Sequence, residues 1–335
     1  MSRTFSCVGL IVIGWLSIAN AASAQQTQTQ TQTKTKAKTS AVQSAEQSAD
    51  KPARAPRATR EDVPQPDRAI EFKKVDGKPL QLHVFDPPRE STAPRAAIVF
   101  FFGGGWSSGT PGQFYSQART IADRGMLAMC AEYRVHSRDR AMVVDCVADA
   151  QDAVLYVRDH AHELNIDPQR IAAAGGSAGG HLAASVATLP YRGQSKEAEE
   201  RFRPNALILF NPALILAPVP DKKLTQRELH RVENLQQRMG DEPQALSPYH
   251  HLSKSLPPTL VLHGEADTTV PFATAKAFQA RATELGAKCT LIGYPDQAHG
   301  FFNFNRTGGM YEITRDEMLS FLELHGFLVA AASSR

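Results

Sequence analysis

The stretch IAAAGGSAGGHLAAS, residues 171–185, places one serine among four glycines directly after a run of small apolar residues. We interpret the apolar run as the end of a buried strand and the residues after the glycines as the first turns of a helix. A sharp turn from strand to helix strains the backbone of its central residue and leaves space only for glycine or alanine beside it. The pattern therefore predicts that Ser177 exposes its hydroxyl oxygen, with the N–H groups of a helix N-terminus behind it.

Two other readings of a glycine-rich turn are a plain tight turn and a phosphate-binding loop. A phosphate-binding P-loop would continue with a Lys-Ser/Thr pair, and a dinucleotide-binding fold would continue with an acidic residue. Neither follows here. The surrounding sequence therefore favours a nucleophilic serine.

A serine hydroxyl is a weak nucleophile, so it needs a base, and the base needs an orienting acid. The run TLVLHGEADTTVP, residues 259–271, ends an apolar strand in a loop that carries Asp267, and LIGYPDQAHGFFN, residues 291–303, ends the next strand in a loop that carries His299. The order serine, aspartate, histidine is that of a hydrolase built on this type of sheet. Glu265 and Asp296 are rival carboxylates, of which Glu265 lies nearer the strand and Asp296 lies too close in sequence to His299.

The negative oxygen of a tetrahedral intermediate needs at least two preorganised donors. The stretch VFFFGGGWSSGTPGQF, residues 99–114, puts three glycines directly after a buried strand. We predict that the N–H groups of Gly104, Gly105 and Ala178 form the oxyanion hole. The alternative is a flexible surface loop, which would not be expected to place Trp106 next to the glycines.

The fold class follows from the order of the apolar runs. Two alternating segments, Ala69–Val75 and Pro79–Phe85, flank the turn DGK and predict an antiparallel hairpin. Short apolar runs then alternate with helical stretches to the end of the chain. Strands that are apolar throughout are buried on both faces, so we predict an α/β fold with a mostly parallel central sheet of about eight strands flanked by helices.

Composition and charge narrow the function. The chain has 335 residues, 42% of them hydrophobic and 21% charged, and a net charge of +3 without a basic cluster, so we expect a globular protein that binds no nucleic acid. Downstream of residue 24 it keeps Cys130, Cys146 and Cys289. Three buried free thiols and a Cys130–Cys146 bridge both remain open. No Cys/His spacing indicates a metal site, so we expect no metal.

The N-terminal residues 1–24 have the pattern of a secretory signal peptide. A basic residue precedes an apolar run of about eleven residues and then the small-residue sequence at 22–24, so we expect cleavage before Gln25 and a secreted or periplasmic protein. The run is shorter than the roughly 20 residues that span a bilayer, so we expect no stable membrane insertion after cleavage. Residues 25–65 contain almost no large apolar side chains, and we expect a disordered low-complexity linker before a catalytic domain at 66–330.

From about residue 69 to residue 328, the motifs GGGW, GGSAGGHLA, HGEADTTVP and AHGFF resemble those of the α/β-hydrolase superfamily. Within it, the chain resembles bacterial carboxylesterases related to hormone-sensitive lipase and exported acetyl-xylan or feruloyl-type esterases. The resemblance implies a serine esterase that works through an acyl-enzyme and uses no cofactor. One departure is Phe102, which stands where the lipase-like branch has a histidine that braces the glycine loop.

A second departure is that the low-complexity linker stands where that branch has an N-terminal helical cap. We expect the cap to come instead from a small lid insertion at 217–252, after the sixth strand, with a polar helix at about 224–239. A polar lid suits a polar substrate better than a long-chain triglyceride. We interpret His250 and His251, within this segment, as loop residues.

These features together predict an exported serine carboxylesterase for short, acetyl-type esters, with carbohydrate as one candidate alcohol. A serine peptidase of the prolyl-oligopeptidase kind shares the triad, but no propeller sequence precedes the domain. A catalytically silent binding module on the same fold would be expected to lose a triad member, and none is missing. The sequence leaves the oligomeric state open.

Overall fold

The computed structural model describes residues 63–192, 198–219, 236–304, 306 and 308–329. The predicted signal peptide, all but the last three residues of the predicted linker and most of the predicted lid helix lie outside these ranges. Among the described residues, no helix is both long enough and apolar enough to span a bilayer.

An eight-stranded sheet organises the described part of the chain, in the order β1-β2-β4-β3-β5-β6-β7-β8. Its first two pairings, β1 with β2 and β2 with β4, are antiparallel, and all the others are parallel. The predicted fold class and the opening hairpin are thereby confirmed. The strands are β1 Arg68–Val75, β2 Lys78–Phe85, β3 Arg95–Phe101, β4 Leu127–Ala131, β5 Ile166–Gly176, β6 Ala206–Phe210, β7 Thr259–Gly264 and β8 Cys289–Tyr294.

Helices cover both faces of this sheet. They are α1 Tyr115–Asp123, α2 His136–Asp139, α3 Val143–Asp159, α4 Ala178–Thr188, α5 Ala198–Arg201, α6 Phe272–Glu284 and α7 Met310–Leu324, with short 3-10 helices at Pro111–Phe114, Pro243–Leu246 and Pro248–His251. Helices α3, α4 and α6 contribute to the apolar cluster on one face, and α1 and α7 to the cluster on the other. The result is a three-layer α/β/α domain.

Strand β3 illustrates how the sequence fixes the two faces. Successive side chains of a strand point to opposite sides, so Val99 and Phe101 join one cluster while Ile98 and Phe100 join the other. All four are buried. This strand, apolar at every position after Arg95, is therefore covered on both sides. Its C-terminal end leads into the glycine loop at the edge where β5, β7 and β8 also end.

The three described cysteines are free thiols. Cys130 and Cys146 are buried, and Cys289 is half-buried. No disulfide joins Cys130 to Cys146, so of the two alternatives the structure shows the free thiols; burial is wrong only for Cys289, which is half-buried because it lies on β8 at the edge of the sheet.

Candidate active site

Ser177 occupies the turn between β5 and α4. Its backbone has φ 54° and ψ −116°, a conformation that residues with a side chain rarely adopt. The Ser177 N–H donates to the Phe210 carbonyl at 2.9 Å, and the Ser177 carbonyl accepts from the His181 N–H at 3.0 Å. The strained residue is thus held on one side by the end of β6 and on the other by the first turn of α4.

The glycines around Ser177 are required by close contacts between backbones. A Cβ on Gly175 would lie 2.3 Å from the Gly179 carbonyl oxygen, and a Cβ on Gly179 would lie 2.0 Å from the Phe101 carbonyl oxygen. A Cβ on Gly176 would lie 2.5 Å from the ring of Phe302. Helix α4 therefore packs directly on the ends of β3 and β5, as the sequence predicts for a sharp strand-to-helix turn.

The structure brings the three predicted triad side chains together. His299 Nε2 lies 2.9 Å from Ser177 Oγ, and His299 Nδ1 lies 2.6 Å from Asp267 Oδ2. Asp267 follows β7 and His299 follows β8, so each comes from the C-terminal end of a parallel strand. The arrangement allows His299 to accept the serine proton at Nε2 while its Nδ1–H stays on the carboxylate.

Asp267 is buried and stays ionised through its hydrogen bonds. Burial acts to raise the pKa of this carboxyl, but the contacts from His263 and His299 and the Val270 N–H outweigh it, and the pKa lies well below its usual range. The Thr269 and Val270 N–H groups donate to Oδ1 at 2.8 and 2.9 Å, which leaves Oδ2 for His299. The negative charge is thus available to orient and stabilise an imidazolium.

The sequence reasoning missed His263, which is fully buried beside Asp267. Its Nε2 lies 2.9 Å from the Val270 carbonyl oxygen and 3.3 Å from Asp267 Oδ2. The residue stands four positions before Asp267 at the end of the apolar run, and a polar side chain inside a buried strand was the signal that could have found it.

The rival carboxylates lie elsewhere. Glu265 is exposed, and its carboxylate lies against Gly293: a Cβ on Gly293 would be 2.5 Å from Glu265 Oε1. Asp296 is also exposed and has a left-handed backbone, with φ 58°. Among the described residues, Asp267 is the carboxylate hydrogen-bonded to His299.

The glycine loop, residues 103–109, lies against the serine. A Cβ on Gly103 would be 3.3 Å from Ser177 Cβ, and its N–H donates to Gln113 Oε1 at 2.5 Å. Gly104 and Gly105 have φ of 130° and 60°, which glycine adopts without strain. Within the described ranges, the N–H groups of Gly104, Gly105 and Ala178 donate to no other residue.

Trp106 ties this loop to the nucleophile's helix. Its buried indole donates through Nε1 to His181 Nδ1 at 3.2 Å, and the two rings meet edge to face. His181 Nε2 donates in turn to the Leu246 carbonyl at 2.7 Å. Burial lowers the pKa of His181 to about 4, against a smaller opposing effect of the Leu246 hydrogen bond, so the imidazole is neutral at pH 7.

Phe102 substitutes packing for the bracing histidine of the lipase-like branch. Its ring stacks on Tyr133 with centroids 4.1 Å apart, and Tyr133 donates its hydroxyl proton to the Phe102 carbonyl at 2.7 Å. A Cβ on Gly109 would lie 2.7 Å from the Phe102 ring. The aromatic pair therefore fixes both ends of the glycine loop.

The described end of the predicted lid insertion also contacts the loop. Arg238, in a helical turn at 236–239, donates to the Gly105 carbonyl at 2.8 Å. His250 and His251 lie in a 3-10 helix and contact the Pro218 and Gln244 carbonyl oxygens. The sequence predicted loop residues here, and the structure places both histidines in this single helical turn instead.

The described residues include one cavity away from the triad and no cluster suited to a metal ion. No group of three or more His, Cys, Asp and Glu side chains there could hold a metal ion. A cavity of about 680 Å³ lies between the β1–β2 hairpin and the end of β4, next to Thr110 and Pro111. The triad does not line it.

Two protein families match parts of this chain. The BD-FAE family matches residues 82–282, which is more than half of the chain. The chain belongs to the BD-FAE family. The dienelactone hydrolase family matches a shorter segment, residues 243–324. The BD-FAE match spans the glycine loop, the serine turn and the aspartate loop, while the second match covers the aspartate and histidine loops.

Solved structures that are similar to this chain include esterases. The butyrate-bound esterase 2 of Thermogutta terrifontis is 45% identical, with a TM-score of 0.74, over 79% of this chain and 96% of that one. Among curated proteins, the acetylxylan esterase of Xylanibacter ruminicola is 28% identical over 68% of this chain and 44% of its own. The probable isoprenylcysteine alpha-carbonyl methylesterase of Arabidopsis thaliana is 28% identical over 68% and 51%. The chain spans about half the length of the curated relatives it matches. These similarities, together with the two family matches, place the chain among α/β-hydrolase serine esterases.

Proposed function

We propose that the protein is an exported serine carboxylesterase that hydrolyses short-chain, acetyl-type esters through Ser177, His299 and Asp267. The observation that carries the proposal is the pair of His299 contacts, 2.9 Å to Ser177 Oγ and 2.6 Å to Asp267 Oδ2. An imidazole so placed can take the serine proton as the hydroxyl attacks and later return it to the leaving alcohol.

The reaction would proceed in two halves. Ser177 Oγ attacks the ester carbonyl, and the N–H groups of Gly104, Gly105 and Ala178 bind the oxygen that becomes negative. Collapse of this intermediate breaks the bond to the alcohol, which leaves with the proton from His299. A water molecule then loses its proton to His299, attacks the acyl-enzyme and releases the acid. Each oxyanion donor of this type contributes about 10²–10³ in rate in serine hydrolases.

The substrate class draws on the relatives. Structures of the Thermogutta terrifontis esterase carry butyrate or propionate, and the Xylanibacter ruminicola relative is an acetylxylan esterase. These names favour short acyl groups and make an acetylated carbohydrate one candidate substrate. Export rests on the signal-peptide pattern of residues 1–24, and cleavage before Gln25 can be read directly by N-terminal sequencing of the secreted chain.

One substrate panel tests the activity. It comprises acetyl, butyryl, octanoyl and feruloyl esters, acetylated xylan and a prolyl amide, each offered to the unmodified chain, to Ser177→Ala and to Ser253→Ala as a control at an exposed serine. We expect the acetyl and butyryl esters to be cleaved fastest, and Ser177→Ala alone to lose activity by several orders of magnitude. Turnover by Ser177→Ala equal to that of the unmodified chain would exclude Ser177 as the nucleophile. Faster cleavage of the prolyl amide than of the esters would favour a peptidase.

A further inference from the structure

Two loops must meet at Ser177 for the proposed reaction, and they arrive from different sides of β5. The glycine loop follows β3, the neighbour of β5 on one side, and His299 follows β8, three strands away from β5 on the other. An oxyanion donor or base displaced by about 1 Å costs about 10²-fold in rate. The distance between the two loops is therefore a quantity that the fold has to hold fixed.

A chain of hydrogen bonds joins the loops directly. The Gly103 N–H donates to Gln113 Oε1 at 2.5 Å, and Gln113 Nε2 donates to Asn303 Oδ1 at 2.9 Å. Asn303 Nδ2 donates to the carbonyl of Gly300, the residue after His299, at 2.7 Å. The Gly300 N–H donates at 2.9 Å to Asn211 Oδ1 at the end of β6. The path leads from the glycine loop to the histidine loop and back to the sheet.

The direction of every bond in this chain is determined. A backbone N–H can only donate, so Gln113 must present Oε1 to Gly103 and Nε2 to Asn303. A backbone carbonyl can only accept, so Asn303 must present Nδ2 to Gly300 and Oδ1 to Gln113. Neither side-chain amide can turn over without losing bonds at both ends. These bonds through Gln113 and Asn303, here called the bridge, therefore have a single donor–acceptor arrangement.

Gln113 is itself well anchored. It lies in the 3-10 helix Pro111–Phe114, whose last residue is buried and stacks on Phe100 and Phe302. The Phe302 ring contacts the Gly176 position next to the nucleophile. The bridge thus spans two loops from a support that already packs beneath Ser177.

The bridge also determines which amides of the glycine loop are free. Gly103 lies against Ser177, since a Cβ on it would be 3.3 Å from Ser177 Cβ, and Gln113 occupies its N–H. The next two N–H groups, of Gly104 and Gly105, have no acceptor among the described residues. Because the Gly103 peptide is held in place by Gln113, the positions of the Gly104 and Gly105 N–H groups that follow it are constrained as well.

We propose that Gln113 is a positioning residue that, through Asn303, sets the distance between the oxyanion amides and the loop of His299. This inference rests on the esterase function proposed above. It predicts that losing the bridge slows the chemical step while substrate binding is kept, because Gln113 acts on the catalytic groups through other residues.

The first test replaces Gln113 with methionine, which keeps the shape and removes both hydrogen bonds. We expect kcat for acetyl and butyryl esters to fall by about 10- to 100-fold, with KM changed by less than about twofold. Gln113→Glu keeps the acceptor for Gly103 but opposes a carboxylate to the Asn303 oxygen, and we expect a comparable loss. Gln279→Met on α6, a glutamine away from the site, serves as the matched control and should leave kcat unchanged.

The second test asks whether Gln113 and Asn303 act as one unit. If they do, Gln113→Met combined with Asn303→Leu should lose about as much kcat as the more damaging single variant. Losses that multiply, a raised KM with unchanged kcat, or unchanged kcat in both single variants would each overturn the inference. Thermal unfolding of every variant separates loss of the fold from loss of positioning, and two variants on the bridge keep the test decisive if one fails to fold.

The outcome is distinguishable from a failure of the proposed function. An unmodified chain that cleaves esters and loses this activity in Ser177→Ala, while Gln113→Met retains full kcat, overturns the positioning role and leaves the esterase standing. An unmodified chain without esterase activity overturns both.

Discussion

Replacing His181 with glutamine should change how the stability of the fold depends on pH. His181 is fully buried one turn into α4, accepts the Trp106 indole proton at Nδ1 and donates from Nε2 to the Leu246 carbonyl. Protonation at Nδ1 would break the contact with Trp106 and bury a charge. The folded protein therefore resists protonating this imidazole, and its pKa falls to about 4 from 6.5.

The size and sign of the effect follow from linkage. Between pH 6.5 and pH 4 the unfolded chain binds a proton at His181 that the folded chain does not bind, so stability is present above about pH 6.5 and is lost as the pH falls toward 4. A shift from 6.5 to about 4 at 1.36 kcal/mol per pH unit gives a full loss of about 3 kcal/mol, most of which falls between pH 7 and pH 4.5. The Asp267 carboxyl affects the pH dependence of stability mainly below this pH range, because its pKa is lowered from 3.8.

Urea unfolding at intervals from pH 7.5 to pH 4.5 measures this loss. We expect the free energy of unfolding of the unmodified chain to fall by about 2 to 3 kcal/mol more than that of His181→Gln over this pH range. His325 is the control, because burial also lowers its pKa but it lies at the end of α7. His325→Gln should retain most of the slope. Parallel curves for the unmodified chain and His181→Gln, or an NMR titration of His181 near pH 6.5, would refute the reasoning.

Three further predictions concern the triad, the packing and the thiols. Asp267→Asn should fold normally but lower kcat by about 10⁴, as measured by ester hydrolysis and circular dichroism, because the amide cannot orient and stabilise the imidazolium; activity within tenfold of the unmodified chain would contradict this. Gly179→Ala should cost at least about 3 kcal/mol in urea unfolding, since its Cβ would lie 2.0 Å from a carbonyl oxygen, whereas Gly112→Ala, with its nearest neighbour at 3.6 Å, should change stability by less than about 0.5 kcal/mol. The thiols should react with a disulfide reagent at pH 8 only slowly until the chain is unfolded in urea, because burial raises the pKa of Cys146 and Cys289 to about 12 and that of Cys130 well above its usual value; rapid reaction of the folded protein would count against their burial.

The fold was predictable because its strongest signals are local. Strands β4 and β6 are apolar at every position and β3 and β7 are mostly apolar, and the structure buries these runs on both faces. The turn DGK predicts a hairpin, and Asp76 and Gly77 indeed have φ of 48° and 78°, which a tight two-residue turn demands. The helix predicted after the glycines is also present, since α4 begins at Ala178, directly after Ser177.

The site was predictable only as far as motifs reach. Ser177, Asp267 and His299 follow recognisable strands, so their meeting could be anticipated. Gln113 and Asn303, by contrast, are 190 residues apart and carry no motif, and their pairing depends on how two loops fold across the sheet edge. The role of His263 likewise depends on the turn that returns Val270 to it. Such partners are set by tertiary packing, which periodicity and spacing do not encode.

The strained backbone of Ser177 lowers the stability of the fold at the residue that the proposed activity requires. Its φ of 54° with ψ of −116° suits glycine, and holding a side chain there costs about 1–3 kcal/mol. Glycine at position 177 would therefore be expected to stabilise the fold while removing the proposed nucleophile. Under the proposed function, laboratory evolution for heat resistance without a screen for turnover is therefore expected to yield a stable but inactive protein.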